Sequence, residues 1–143
     1  AAALERQAAT SAPAAAMELP DGTIVTGKTS DLLGASSALL LNALKRIGGL
    51  PDDLHMLPPI VLEPIQNLKT NHLGNRNPRL HTDETLIALS ISAATNPMAE
   101  YAMEQLDKLR GCEVHSTVIL SAVDERTFKR LGVNLTCEPR YSA

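Results

Sequence analysis

The sequence predicts an α/β fold, a layered sheet with helices on its faces. Three observations predict it. Asp21-Gly22 falls between two short apolar runs, and glycine accepts the positive φ that a tight hairpin turn needs. A long helical pattern follows the hairpin directly and stops at Gly48-Gly49. Beyond it, short strand-like runs alternate with helical ones, in the order hairpin, helix, strand, helix, strand, helix, strand, with a two-helix insertion at residues 83–110.

Residues 1–9 are alanine-rich and favour helix from the first position. Residues 10–16 are small and interrupted by Pro13. Residues 1–16 therefore read as the end of a preceding helix plus a linker. Residues 17–143 read as the α/β domain, the C-terminal part of a longer polypeptide.

Met17–Leu19 and Thr23–Thr26 are the expected hairpin strands. Thr29-Ser30 is a cap signal for a helix over about Ser30–Ile47. Its stripe of Leu32, Leu33, Ser36, Leu40, Ala43, Leu44 and Ile47 follows the helical period. Lys45 and Arg46 sit in the last turn, where cations suit the helix dipole. Asp53–Leu57 is a candidate strand. A helix over about Ile60–Leu68 follows Pro58-Pro59, with Pro64 demanding a kink or an early start.

A polar loop over Asn71–Arg79 leads to a helix capped by Thr82 or Asp83. Residues 86–94 are apolar or small on every side, the mark of a buried helix. Asn96-Pro97 starts another helix reaching Arg110, with Met98, Tyr101, Ala102, Leu106 and Leu109 as its apolar face and Gly111 as its stop. Glu113–Leu120 reads as a strand. Ser121-Ala122-Val123-Asp124 resembles a capping box for a short helix with Phe128 and Leu131 inward. Val133–Thr136 is the last strand.

Composition narrows the function. Aromatic residues make up 2% of the chain and tryptophan is absent, so the core must be aliphatic. So few rings also argue against a base-stacking platform for single strands. The net charge of −3, without a basic run, makes nucleic acid and anionic membrane poor partners. No stretch is apolar for long enough to span a bilayer. Cys112 and Cys137 are too few for a disulfide framework and read as reduced cytosolic thiols, which places the protein in the cytoplasm.

A hairpin followed at once by a buried helix resembles the opening of the zinc-dependent cytidine deaminases, and the element order resembles their fold. The enzymes of that group carry a zinc ligand and a glutamate at the helix start. Here that stretch is Leu33-Gly34-Ala35-Ser36-Ser37-Ala38, and the place of the thiolate pair reads Pro58-Pro59-Ile60-Val61-Leu62. Neither half can bind zinc, so the likeness implies topology without deamination.

Four segments carry a closer resemblance: residues 19–28, 84–97, 109–115 and 130–136. They are similar to the C-terminal part of a bacterial family of unknown function. Its members run to roughly 500 residues, a length that divides into several domains. Some are labelled ATP-dependent peptidases. The resemblance covers about residues 17–136 and implies that larger N-terminal domains precede this one. It also implies a longer polar connection before the hairpin than residues 10–16 supply. It brings no catalytic residue to any position here.

The residues themselves offer little chemistry. Cys112 and His115 could give two metal ligands, with His81 and Asp83 as others, but positions 112 and 115 of a strand face opposite sides. No serine-hydrolase elbow, zinc-peptidase motif or phosphate loop occurs. No cofactor or metal is expected. Polar residues at element ends are the remaining candidates: Lys28 and Ser30 after the hairpin, Asp83, Glu84 and Asn96 around the apolar helix, and Asn67 and Lys69 ending the second helix. An anion or phosphate near Lys28 and Ser30, at a helix start, is the first ligand expected. Three readings follow: a non-catalytic domain supporting folding or oligomerisation, one wall of an interdomain active site, or a small anion or nucleotide module. The expected partners are the N-terminal domains of the same protein and further copies of it.

Overall fold

Asp21 and Gly22 turn the chain where the sequence expects. The Asp21 carboxylate accepts the Thr23 N–H at 2.9 Å, and Gly22 takes φ +85°. The computed structural model describes residues 2–3, 14–117 and 120–137. The turn is longer than a two-residue hairpin. β1 (Ala14–Glu18) and β2 (Ile24–Lys28) pair antiparallel from Glu18↔Ile24 to Ala14↔Lys28, and residues 19–23 form the loop. β1 thus begins inside the stretch read as linker. Its small residues fit a central strand, because Ala14, Ala15 and Ala16 are all buried between neighbours. Ala2 and Ala3 are helical, as read, and residues 4–13 of that reading lie outside the described residues.

β1 also pairs antiparallel with β3 (Glu113–Ser116), and β3 pairs parallel with β4 (Asn134–Cys137). The sheet order is β2-β1-β3-β4. Val25, Met17, Val114 and Leu135 stand in one register row, and all four belong to the core or pack against it. The next row, Thr26, Ala16, His115 and Thr136, faces the other way, as strand alternation requires.

α1 spans Ala35–Ile47 and packs on β2 and β1. It starts five residues later than the cap signal suggested. Ser30 caps a turn instead: its hydroxyl oxygen accepts from the N–H groups of Leu32 and Leu33, and its own N–H donates to the Leu33 carbonyl. Leu33 then bridges Leu80 in parallel, and the helix begins only past Gly34. The contact between α1 and β2 depends on Gly27. A Cβ there would overlap the backbone nitrogen of Leu39 and lie 2.9 Å from the Ala35 carbonyl oxygen.

The strand expected over Asp53–Leu57 does not form. Lys45, buried near the end of α1, donates to the carbonyls of Asp52 at 2.7 Å and Leu54 at 3.5 Å, which folds this stretch into turns. Burial holds the Lys45 ammonium below the usual lysine range, against the opposing pull of Asp52 and Asp53. The expected alternation therefore skips one strand, and an α/β fold with a four-stranded mixed sheet remains.

α2 (Pro59–Asn67) has Pro59 in its first turn and Pro64 inside it. One turn of π-helix, Leu68–His72, continues it and closes with the Leu73 N–H on the Leu68 carbonyl. α3 (Thr82–Ala93) and α4 (Pro97–Glu104) pack on each other, and a 3-10 turn over Leu106–Leu109 follows. The face of α4 departs from the expected one at Met98 and Tyr101, while Ala102 and, in the 3-10 turn, Leu109 are buried as expected. Ala99 and Ala102 are fully buried, whereas Met98 and Tyr101 are 46% and 42% exposed. Close approach of α4 to α3 selects the small residues for the inside. α5 (Ala122–Arg130) bridges β3 and β4 as a parallel crossover and buries Phe128, the chain's single phenylalanine. Ser121 caps it by accepting the Asp124 N–H at 3.2 Å. Among the described residues, no helix is long and apolar enough to cross a membrane.

Candidate functional site

β2 and β3 run in the same direction, since each is antiparallel to β1. Their C-terminal ends define one edge of the sheet. α1 leaves from that edge after β2, and α5 leaves from it after β3. α3 starts there too. Its first residue, Thr82, donates its N–H and its hydroxyl to one oxygen of Asp124 on α5, at 2.9 and 2.8 Å. Three helix N-termini therefore meet at the edge where open α/β sheets place their ligands. Lys28, Ser30, Asp83 and Glu84 all lie along it. Asn96 does not: it caps α4 by accepting the Met98 N–H at 3.0 Å, beyond the far end of α3. The length of α3, about 18 Å for its 12 residues, separates it from Asp83.

The charged centre of this edge is Glu84. Its Oε1 accepts from Lys69 Nζ at 2.7 Å and from the His81 backbone N–H at 2.9 Å, and it lies 3.3 Å from His81 Nδ1. The His81 N–H bond is the reciprocal half of a capping box, and it makes His81, rather than Thr82 or Asp83, the N-cap of α3. Lys69 is 3% exposed, set inward by the π turn, and its second bond goes to the Arg79 carbonyl at 2.6 Å. Burial pushes the Glu84 carboxyl upward. The Lys69 hydrogen bond and charge and the His81 contacts outweigh it, and the net shift is downward.

The surrounding groups are also occupied. Arg79 Nε donates to the Ser30 carbonyl. The Ser37 hydroxyl donates to the Leu80 carbonyl at 2.9 Å, and the Gly34 N–H reaches that same oxygen at 3.3 Å. Asp83 accepts the Glu84 N–H at 2.7 Å and stays exposed. Lys28 is exposed at the end of β2, and Asn67 is exposed at the end of α2. The edge is thus a lattice of bonds that ties the 30–34 segment, the π turn, α3 and α5 together. Sequence reasoning named Glu84 and Lys69 separately and could not pair them, because the π turn that turns Lys69 inward has no sequence signal. Asp124 was legible only as part of a capping box, whereas its carboxylate serves α3.

The metal reading finds no support in the geometry. Among the described residues, no three His, Cys, Asp or Glu side chains are grouped to hold one ion. Cys112 is buried, its thiol pushed up by that burial, with its sulfur 3.8 Å from the Lys108 carbonyl oxygen. Such a thiol packs as a small apolar group and is a poor nucleophile.

The outer side of α3 contrasts with this edge. Asp83, Ile87, Ser90, Ile91 and Ala94 recur at helical spacing and are all exposed, Ile87 at 57% and Ile91 at 60%. The helix read as wholly buried is therefore buried on one side only, by Thr85, Ala88, Leu89 and Ser92. Beside the exposed stripe, a groove of about 290 Å³ runs between α3 and α5, with Leu86, Ile87 and Leu131 among its walls.

Comparison with known proteins supplies a context. The model of one family, described as "Domain of unknown function DUF1846, C-terminal", matches residues 1–143. A UPF0371 protein of Corynebacterium urealyticum is 60% identical over 141 residues, which are 99% of this chain and 28% of that protein. A UPF0371 protein of Corynebacterium efficiens is 60% identical over 139 residues, 97% of this chain and 28% of the relative. One from Clostridioides difficile is 53% identical over 129 residues, 90% and 26%. The chain spans little more than a quarter of the length of these bacterial relatives.

Proposed function

We propose a function from one premise: the chain belongs to the DUF1846 C-terminal domain family. It acts as a non-catalytic α/β domain that supports the folding or assembly of a longer bacterial protein. The observation that carries this reading is the apolar outer stripe of α3, with Ile87 and Ile91 more than half exposed on a helix whose charged residues, Asp83 and Glu84, both lie in its first turn. Isolated exposed apolar residues need no explanation, but a contiguous stripe marks a contact surface. The candidate edge supports the same reading, because its buried cation, Lys69, is paired with Glu84 and its Arg79 is bonded to the Ser30 carbonyl. Ile87→Glu with Ile91→Glu in the full-length protein tests it, by light scattering and urea unfolding. Loss of assembly or of stability is expected; an unchanged mass and midpoint overturns the reading.

A second reading makes the same edge one wall of an interdomain cleft or of a small-anion site. The meeting of three helix N-termini favours it, with Lys28 the exposed cation beside them. Lys28→Ala that lowers phosphate binding by the full-length protein, measured calorimetrically, supports this reading; unchanged binding removes it. The deaminase-like arrangement belongs with these proposals. It is supported by the order β2-β1-β3-β4 with α1 on the hairpin, and it lacks the strand expected over 53–57. A cytoplasmic setting is proposed from the free thiol of Cys112.

A further inference from the structure

The sheet has two faces, and all five α-helices contribute to the core on one of them, where Met17 and Val114 enter it. Strand alternation turns Ala14, Ala16 and Glu18 of β1 to the rear, with Ile24 and Lys28 of β2 and Glu113 of β3. An antiparallel pair can leave its rear face to water. This one does not, because Ala14, Ala16 and Thr117 are buried there. The start of the chain lies on that side. Helical Ala2 walls a groove of about 230 Å³ together with Ala16, Ile24, His115 and Thr136, and Ala3 beside it is fully buried.

The same groove is lined by Glu18 and Glu113, which are register partners on antiparallel strands. Side chains so placed stand about 4.5–5.5 Å apart, and like charges there oppose pairing. Both carboxylates are exposed, and among the described residues neither is in an ion pair. Lys28, the lysine of this face, is four residues from Ile24, about 13 Å along β2. Ile24, the register partner of Glu18 on its other side, is 56% exposed.

We infer that the rear face is the dock for the polypeptide that precedes this chain in the full-length protein, an inference that rests on the support reading above. The relatives devote little more than a quarter of their length to this part, and the family model that matches it describes a C-terminal domain. The first described residues lie on the rear face, so the earlier polypeptide is delivered to it. The docked element brings an arginine or lysine between Glu18 and Glu113 and an apolar side chain against Ile24. Small side chains at the centre with charges around them suit a contact between domains of one chain, which is more polar than a core.

Photo-cross-linking of the purified full-length protein tests this. Benzoylphenylalanine at Thr136, which is exposed on the groove wall, should couple within one molecule to a residue upstream of Ala1, identified by mass spectrometry. A link confined to residues 1–143, a link only between copies, or no link overturns the inference. Glu18→Arg with Glu113→Arg keeps the repulsion inside the sheet and reverses the charge shown to the partner. Thermolysin should then cut the junction ahead of Ala1 about tenfold faster, as the docked state opens more often. An unchanged rate also overturns the inference. If Ile87→Glu with Ile91→Glu still lowers mass or stability, the support reading stands without this dock; if that variant changes nothing either, both fall.

Discussion

Lys69 and Glu84 lie 2.7 Å apart, and their bond joins the π turn to the first turn of α3. The lysine side chain is 4% exposed and the carboxylate side chain 26% exposed, so the two members are unequally solvated. Removing the lysine leaves a carboxylate against buried surface and deprives the Arg79 carbonyl of its donor. Lys69→Met should cost about 2–3 kcal/mol, the range for losing hydrogen bonds to a charged group. Lys69→Met with Glu84→Gln should cost less than the sum of the single changes, because neither partner is then left charged and alone. Urea unfolding of the four proteins measures the coupling.

Glu84 also sets a pH dependence. Its folded pKa lies below the unfolded value, so the folded state favours the charged form. The stability this contributes is fully present above the unfolded carboxyl pKa of about 4.3 and is lost as pH falls through the folded value. Glu84→Gln should therefore flatten the fall in unfolding free energy below about pH 5. An unaltered slope would mean that other carboxylates carry it.

Gly27 should tolerate no side chain. Gly27→Ala pushes a methyl group into the backbone of Leu39, and backbone cannot swing aside as a side chain can. A loss of about 3 kcal/mol, or failure to fold, is expected. Gly34→Ala is the control, because its new Cβ would meet only the Leu80 carbonyl oxygen at 3.8 Å. Thermal unfolding separates the two.

Asp124 holds two donors of Thr82 with one oxygen. Asp124→Ala should cost about 2 kcal/mol, chiefly by leaving the buried Thr82 hydroxyl unpaired. Asp124→Asn, which keeps an acceptor, should cost about half as much. Hydrogen exchange should show faster opening of the first turn of α3 in the alanine variant.

The hairpin, the helices and the last two strands were legible because their signals are local: Asp21-Gly22 at a turn, Asn96-Pro97 at a helix start, Ser121 as a cap. What failed to show depends on partners distant in the chain. Ser30 looks like a helix cap until Leu33 bridges Leu80. Asp53–Leu57 looks like a strand until Lys45 takes its carbonyls. Gly27 carried a readable hint, since glycine inside a strand often marks close backbone approach. Among the candidate site residues, Asp83, Glu84 and Lys28 stand at element ends as expected, whereas Ser30 caps a turn and does not open the helix, and Asn96 stands a helix length away from Asp83. Met98 and Tyr101 were taken as core because they are large and apolar, whereas Ala99 and Ala102 take the buried side of α4.

The pairing of β1 with β3 brings Ala14 and Thr117 together, residues 103 positions apart. A nascent chain can form the hairpin and lay α1 on it, but one long side of β1 stays open until β3 has left the ribosome. During that interval the hairpin exposes an uncapped strand edge, the kind of surface that joins the wrong neighbour. Closing so long a loop also makes late, cooperative collapse the slow step. The domain should depend on the speed of translation and on chaperone cover more than its small size suggests.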